Sequence, residues 1–236
     1  MRTATQPDEE LAKLYPQDVW VQNFWYLPID GSRIKEAIPK IQCVELLDEF
    51  GNFLTQKMYT NNTSNAVIAY SGYLLGYEIL AEAANSLEIS ALLDDAYKEI
   101  NQILVAELGV DEKQQMEFSQ KARAKYCDWT IVDKVIRHGK DPIRKLGPQD
   151  RLIAPCRMAL KHGIYPKTLI DTIAKALYFD EPSDAEAVKL KMLRQQKGVE
   201  YVLQIVCGLD KNERLYHEVL KSVEQIKEQG LVKGHE

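Results

Sequence analysis

The stretch NAVIAYSGYLLGYEILAEAA, residues 65–84, decides the fold class. Small side chains such as Ala66 and Ala69 mix with large ones such as Ile68, Tyr73 and Leu74, and no continuous polar face emerges. That pattern predicts a helix buried on most sides. Its most apolar part, Val67 to Ala81, is interrupted by Ser71 and Glu78 and is too short to cross a bilayer.

Helical signals continue from here to the C-terminus. Ser90 can cap a second helix with the stripe Leu92, Leu93, Ala96, Ile100, Ile103 and Leu104, ending at Gly109. Asp111 with Gln114 resembles a capping box and opens a polar helix to about Tyr126. Thr130 starts a short helix that Gly139 stops, and Pro148 suits the first turn of a helix kinked at Pro155 and ended by Gly163. Pro166 opens another, carrying Leu169, Ile170, Ile173, Ala174 and Leu177; Ser183 with Glu186 caps one that Gly198 closes. Val199 to Val206 makes a compact apolar helix. Asp210 with Glu213 then caps a long amphipathic one bearing Leu215, Val219, Val223 and Ile226.

Before this body, residues 1–60 read as an irregular lead-in with short strands. Aromatics crowd Val19 to Leu27, and Pro28–Gly31 and Gly51–Asn52 are turn signals. The expectation is an all-α fold: a helical core at 61–236 behind a small irregular, partly β N-terminal section, all within a single domain over 1–236. No internal repeat is present.

Composition narrows the function. With 45% apolar and 28% charged residues the chain folds rather than staying disordered. A net charge of -5 argues against nucleic-acid binding through bulk charge, while leaving room for a local basic pocket. The first residues carry charge where a signal peptide needs an apolar core, so a cytoplasmic location is expected, with no membrane partner. Cys43, Cys127, Cys156 and Cys207 are widely spaced, which suits reduced, mostly buried thiols. The four histidines show no metal spacing, and no metal is expected. There is no G-x-G-x-x-G, no G-x-x-x-x-G-K-[ST], no H-E-x-x-H and no G-x-S-x-G.

Two stretches concentrate polar groups. In Lys57-Met-Tyr-Thr-Asn-Asn62-Thr-Ser-Asn65, Asn62 and Asn65 share a face if a helix starts there, and Lys57 can fold back towards its N-terminus. An amine beside two carboxamides and free helix N–H groups could bind a hydroxyl, carbonyl or alkoxide. A plainer reading makes Asn62 an N-cap, Asn65 a first-turn residue and Lys57 a surface side chain. The second stretch is Arg137-His-Gly-Lys-Asp-Pro-Ile-Arg144-Lys145-Leu, followed by Gly147-Pro-Gln-Asp150-Arg151-Leu. Its cations suit a phosphate, a carboxylate or a polyhydroxylated substrate; equally, Arg144 and Arg151 could pair with acidic neighbours on a solvated loop.

These two stretches resemble the motifs of the polyol-specific long-chain dehydrogenases, the family that includes mannitol-1-phosphate 5-dehydrogenase. Lys57-x4-Asn62-x2-Asn65-Ala66, then Ala69-Tyr70-x-Gly72, is similar to R-K-L-x-x-x-N-x-G-H-A-x-x-A-Y-x-G. Arg137-x-Gly139-x-x-Pro142-x-Arg144-Lys145-Leu146 with Asp150-Arg151-Leu152 resembles R-x-G-R-x-P-x-R-K-L-x-x-x-D-R-L. Leu160-x-x-Gly163, Ala174-x-Ala176-x-x-Phe179 and Gly208-Leu209-Asp210 follow in the same order.

The resemblance implies a helical substrate domain like the C-terminal part of 6-phosphogluconate dehydrogenase, with NAD bound by a Rossmann domain not present in this sequence. It implies that Lys57 is the general base and that Asn62 holds the developing alkoxide. Arg137 and Lys145 would touch substrate oxygens, with Asn65 and Arg144 further substrate-binding candidates. Three positions depart from the pattern: Asn65 stands for the family histidine, Ser64 for a glycine and Gln56 for the arginine before the lysine. Asparagine can bond a sugar hydroxyl but cannot carry a proton near neutral pH. Two functions follow. One is the substrate half of an NAD-dependent polyol dehydrogenase, completed by a Rossmann chain or within a homo-oligomer. The other is a non-catalytic module that binds a sugar alcohol or sugar phosphate.

Overall fold

The structure, a computed structural model, describes residues 4–5, 9–21, 26–36 and 39–232. The N-terminal section contains β1 (Ala4–Thr5), α1 (Glu9–Leu14), β2 (Trp20–Val21), β3 (Leu27–Asp30) and β4 (Val44–Leu47). β1 pairs antiparallel with β2, and β3 pairs parallel with β4 in the register Leu27 to Val44 through Asp30 to Leu47. Pro28–Asp30 is therefore strand rather than turn. The chain turns one step later, in a 3-10 turn at Gly31–Arg33, where the Asp30 carboxylate accepts the Ser32 N–H at 3.1 Å.

Twelve further helices follow: α2 (Phe50–Lys57), α3 (Thr63–Leu74), α4 (Leu80–Asn85), α5 (Leu87–Leu108), α6 (Glu112–Tyr126) and α7 (Val135–Gly139). Then come α8 (Pro142–Lys145), α9 (Ile153–Lys161), α10 (Lys167–Ala176), α11 (Ala185–Lys197), α12 (Val199–Ile205) and α13 (Arg214–Glu228). The helical body starts at Phe50 rather than at residue 61. Gly51 and Asn52 do not turn the chain: the Asn52 amide reaches back to Glu49 at 2.8 Å, and both sit in the first turn of α2.

α3 is the centre of the fold. Every residue from Thr63 to Gly72 is buried, and the helix packs on α5, α7 and α10. Its small residues allow this approach: a Cβ on Gly72 would stand 3.1 Å from the Ala83 Cβ and 3.4 Å from Val135. The apolar run does not stay helical to residue 84. Gly76 takes φ 80°, which only glycine adopts cheaply, and the chain re-enters helix at Leu80.

Around α3, the caps set the element boundaries. α5 begins one turn earlier than Ser90, because Ser86 Oγ accepts the Ile89 N–H. Its buried stripe, Ile89, Leu93, Ala96, Tyr97, Ile100, Ile103 and Leu104, keeps the expected helical spacing, and Gly109 at φ 66° ends it. Asp111 caps α6 through the Gln114 N–H at 2.9 Å. Thr130 starts no helix: it closes a turn on Asp128, and α7 begins only at Val135. Pro155 falls in the first turn of α9, where a missing N–H breaks nothing, so that helix has no proline kink. Asp184 rather than Ser183 caps α11. α13 lays Leu215, Val219, Val223 and Ile226 against α10, each such side chain worth about 1.5–3 kcal/mol when fully buried. Cys156 and Cys207 are buried thiols, Cys127 is half-buried and Cys43 exposed; burial pushes the Cys207 thiol up to about 12.

Candidate active site

Between α2 and α3 the backbone runs through one π-helical turn, Met58–Asn62, so helix continues from Phe50 to Leu74. Asn62 is therefore not an N-cap and there is no open helix mouth here: its φ is -80°, its side chain caps nothing, and its amide lies 3.0 Å from the Met58 sulfur. The π turn does something else. In an α-helix residues five apart diverge, whereas i→i+5 hydrogen bonding stacks them, which brings Lys57 and Asn62 to one face. Asn65 follows on that face three residues later.

Widening a helix loosens its carbonyls, and side chains here satisfy them. Ser64 Oγ donates to the Thr60 carbonyl at 2.7 Å, and the Tyr126 hydroxyl, from α6, donates to that of Asn61 at 2.7 Å. Gln56 faces away: its amide bonds Gln115, whose own amide reaches Thr60 and Asn101. A cation of another origin stands near Lys57. Lys125 on α6 is held below the usual lysine range by burial and then by the charge of Lys57.

The α7–α8 segment packs directly on this region. The Thr63 hydroxyl donates to the Arg151 carbonyl at 2.7 Å, the Tyr70 hydroxyl donates to the Gly139 carbonyl at 3.2 Å, and Asn65 Nδ2 lies 2.9 Å from His138 Nδ1. The two polar stretches thus meet across α3 and α7. Lys145 is buried, donates to the His138 carbonyl and is pushed down to about 7 by burial, then by the charges of Arg151 and Arg144.

The arginines are not bare. Arg137 pairs with Asp133 at 2.7 Å, Arg144 with Asp141 and with Asp150, and Arg151 with Asp150 at 2.8 Å. An anionic substrate must therefore compete with carboxylates already in place, and the paired-loop reading describes Arg144 and Arg151 as they stand. Burial works against ionised Asp133, yet hydrogen bonds and charge from His138 and then Arg137 hold it below the usual carboxylate range. Asp141, just before Pro142, takes the left-handed φ of 62° and its N–H is fixed by Asp184 at 2.7 Å, so α11 props the loop.

Asp133, His138, Lys125 and Tyr126 are members of this cluster that the motifs did not single out. Only Asp133 and Arg137 carried a usable signal, an acid and a base four apart. Among the described residues, no group of three His, Cys, Asp or Glu side chains could hold a metal, and no helix is long and apolar enough to cross a membrane. Nor do the described residues fit a dinucleotide. The parallel pair β3–β4 is followed by no Gly-rich turn into a helix, and the Asp30 carboxylate already takes the N–H at the first turn.

Residues 49–227 match the family described as the mannitol dehydrogenase C-terminal domain. The mannitol-1-phosphate 5-dehydrogenase of Caldanaerobacter subterraneus subsp. tengcongensis is 32% identical over 221 residues, covering 94% of this chain and 57% of that protein. Mannitol-1-phosphate 5-dehydrogenase of Bacillus subtilis is 34% identical over 210 residues, covering 89% and 55%. The chain thus spans a little over half the length of these relatives. In fold it is similar to Pseudomonas fluorescens mannitol 2-dehydrogenase, solved as a ternary complex with NAD and D-mannitol. That superposition has a TM-score of 0.75 at 13% identity and covers 100% of this chain and 52% of the other. A D-sorbitol dehydrogenase in substrate-free form gives 0.74 at 15% identity, covering 98% and 52%.

Proposed function

The chain belongs to the mannitol dehydrogenase C-terminal domain family, and from that premise we propose that it is the substrate-binding and catalytic half of an NAD-dependent polyol dehydrogenase acting on mannitol 1-phosphate or a related sugar alcohol. In this reading Lys57 takes the hydroxyl proton and Asn62 holds the alkoxide that forms. Asn65, Arg137, Arg144 and Lys145 bind the remaining oxygens. Oxidation needs a hydride acceptor, and NAD on a Rossmann domain outside the described residues supplies it.

The observation that carries the proposal is the π turn. It gives Lys57-x4-Asn62 a shared face that no α-helix provides, and Asn65 joins that face to the α7–α8 segment through His138. The N-terminal section supports a covering domain. Leu54, one turn before Lys57, is 48% exposed, and Leu27, Ile41 and Leu46 around the parallel strand pair are exposed as well. Parallel strands are normally covered on both faces. Of the aromatics that crowd Val19 to Leu27, Tyr26 packs its ring edge-on against Phe53 at 6.3 Å; the Trp20 side chain, Phe24 and Trp25 lie outside the described residues.

The test mixes the chain with a candidate Rossmann-domain partner, NAD and mannitol 1-phosphate and follows NADH absorbance. Turnover that Lys57→Ala lowers by about 10²-fold or more is expected. No turnover with any partner or polyol would overturn the assignment.

Asn65 in place of the family histidine favours a second reading, a binding module without chemistry. Calorimetry with hexitol phosphates on wild type and Arg144→Ala separates the two: binding that Arg144→Ala weakens, without turnover under any pairing, selects the module. A cytoplasmic location fits both.

A further inference from the structure

Asn65 is buried, and its carboxamide is tied through His138 to Asp133, two side chains to which the proposed chemistry gives no role. Its Nδ2 lies 2.9 Å from His138 Nδ1, and His138 Nε2 lies 2.7 Å from Asp133 Oδ2. The ionised Asp133 carboxylate only accepts, so Nε2 carries the hydrogen, and in the neutral ring Nδ1 is then the acceptor that faces Asn65 Nδ2. Asp133 is itself fixed by the Lys134 N–H at 3.0 Å and by Arg137 Nη1 at 2.7 Å. The tautomer of His138 is therefore set by a buried carboxylate, and the orientation of Asn65 is set by that tautomer together with the Tyr126 hydroxyl, which the Asn65 side chain also bonds.

We propose that His138, anchored by Asp133, is a positioning residue that holds the Asn65 carboxamide in one of its two flip states. The proposal rests on the assignment of Asn65 as a substrate-binding residue. The two flip states of a carboxamide are nearly equal in shape but opposite in chemistry: one offers a carbonyl acceptor, the other an N–H donor. With Nδ2 committed to His138, Oδ1 is the atom left to accept a hydrogen, and a polyol hydroxyl supplies one. An asparagine at this position needs such a clamp if it is to bond hydroxyls selectively. On the far side of His138 a small, half-open cavity of about 20 Å³, lined also by Asp133, Tyr126, Lys125 and Asp128, has room for a single water.

The experiment uses the ¹⁵N-labelled chain and needs no cofactor. The Asn65 side-chain amide signals, assigned by their loss in Asn65→Asp, are followed in wild type, His138→Gln and His138→Leu. Mannitol 1-phosphate affinity is measured on the same samples. Glutamine can still accept from Asn65 and leucine cannot. Amide hydrogen exchange in His138→Leu should accelerate at least about tenfold and affinity should fall about tenfold, with both largely restored in His138→Gln. Unchanged Asn65 signals in a folded His138→Leu, or altered signals with unchanged affinity, would overturn the proposal. Should His138→Leu not fold, the ring ¹⁵N shifts of wild-type His138 decide: an Nε2–H tautomer supports the clamp and an Nδ1–H tautomer refutes it. If wild type binds no polyol, the proposed function fails, while the amide and ring signals still report whether His138 orients Asn65.

Discussion

Lys145 Nζ donates to the main-chain carbonyl of His138 from a position that is only 6% exposed. Burial, then the neighbouring Arg151 and Arg144, press its pKa from 10.5 to about 7. Below pH 7 the folded chain keeps a desolvated ammonium that the unfolded chain carries in water. Between about 7 and 10.5 the folded state has released the proton and the unfolded state has not, so this residue's contribution raises stability with pH across that window. The full difference is about 5 kcal/mol. Lys145→Met should therefore be more stable than wild type in urea at pH 6, with the gap narrowing steadily towards pH 10. A gap independent of pH would show that the ammonium is solvated after all.

Gly139 sits between the two halves of the basic segment and against the ring of Phe179. A Cβ there would stand 2.3 Å from the Phe179 Cε2, and the ring is fully buried between Tyr70 and Tyr73 with no room to retreat. Gly139→Ala should cost about 3 kcal/mol and lower Tm by roughly 5–10 °C in calorimetry. The companion variant Phe179→Leu, combined with Gly139→Ala, should recover part of the loss, because the clash disappears with the ring.

Much of the helical body was legible because its signals are local. The Asp111 cap, Pro166 before α10, the glycine at 109 and the α5 stripe act through neighbours a few residues apart, and each reappears in the structure. What escaped depends on tertiary context. The run from Leu74 to Tyr77 is apolar or glycine, so the break at Gly76 left no polarity signal at its own position. The π turn has no side-chain signature at all; it is held open by Tyr126, 65 residues away in sequence from Asn61. Motif spacing brought Lys57, Asn62 and Arg137 forward. Asp133 and His138 stayed hidden because their partners are set by the packing of α7 on α3.

α10 has no side-chain cap of its own, since Pro166 stands at its start. Glu99, reaching across from α5, accepts the Thr168 N–H at 2.8 Å and the Leu169 N–H at 3.1 Å. Glu99→Ala leaves two buried donors without an acceptor and should destabilise the chain by about 1–3 kcal/mol in urea. Glu99→Gln keeps one carbonyl acceptor and should lose less. Equal losses in the two variants would mean that charge, rather than hydrogen bonding, makes the cap.

Adding one residue ahead of the π turn tests the geometry on which the site depends. An alanine inserted between Lys57 and Met58 takes the place of Lys57 above the π turn, so helix content should persist in circular dichroism. Everything before the insertion, however, turns by about 100° relative to α3, because an α-helix has 3.6 residues per turn. Lys57 then leaves the face of Asn62 and Asn65, while Asn62, Asn65 and the α7–α8 segment keep their places. Affinity for mannitol 1-phosphate should fall modestly, since most of its partners remain. Turnover with a Rossmann-domain partner should fall as far as in Lys57→Ala, because a base rotated out of reach is equivalent to no base. Turnover retained after the insertion would mean that the shared face of Lys57 and Asn62 is not what the reaction uses.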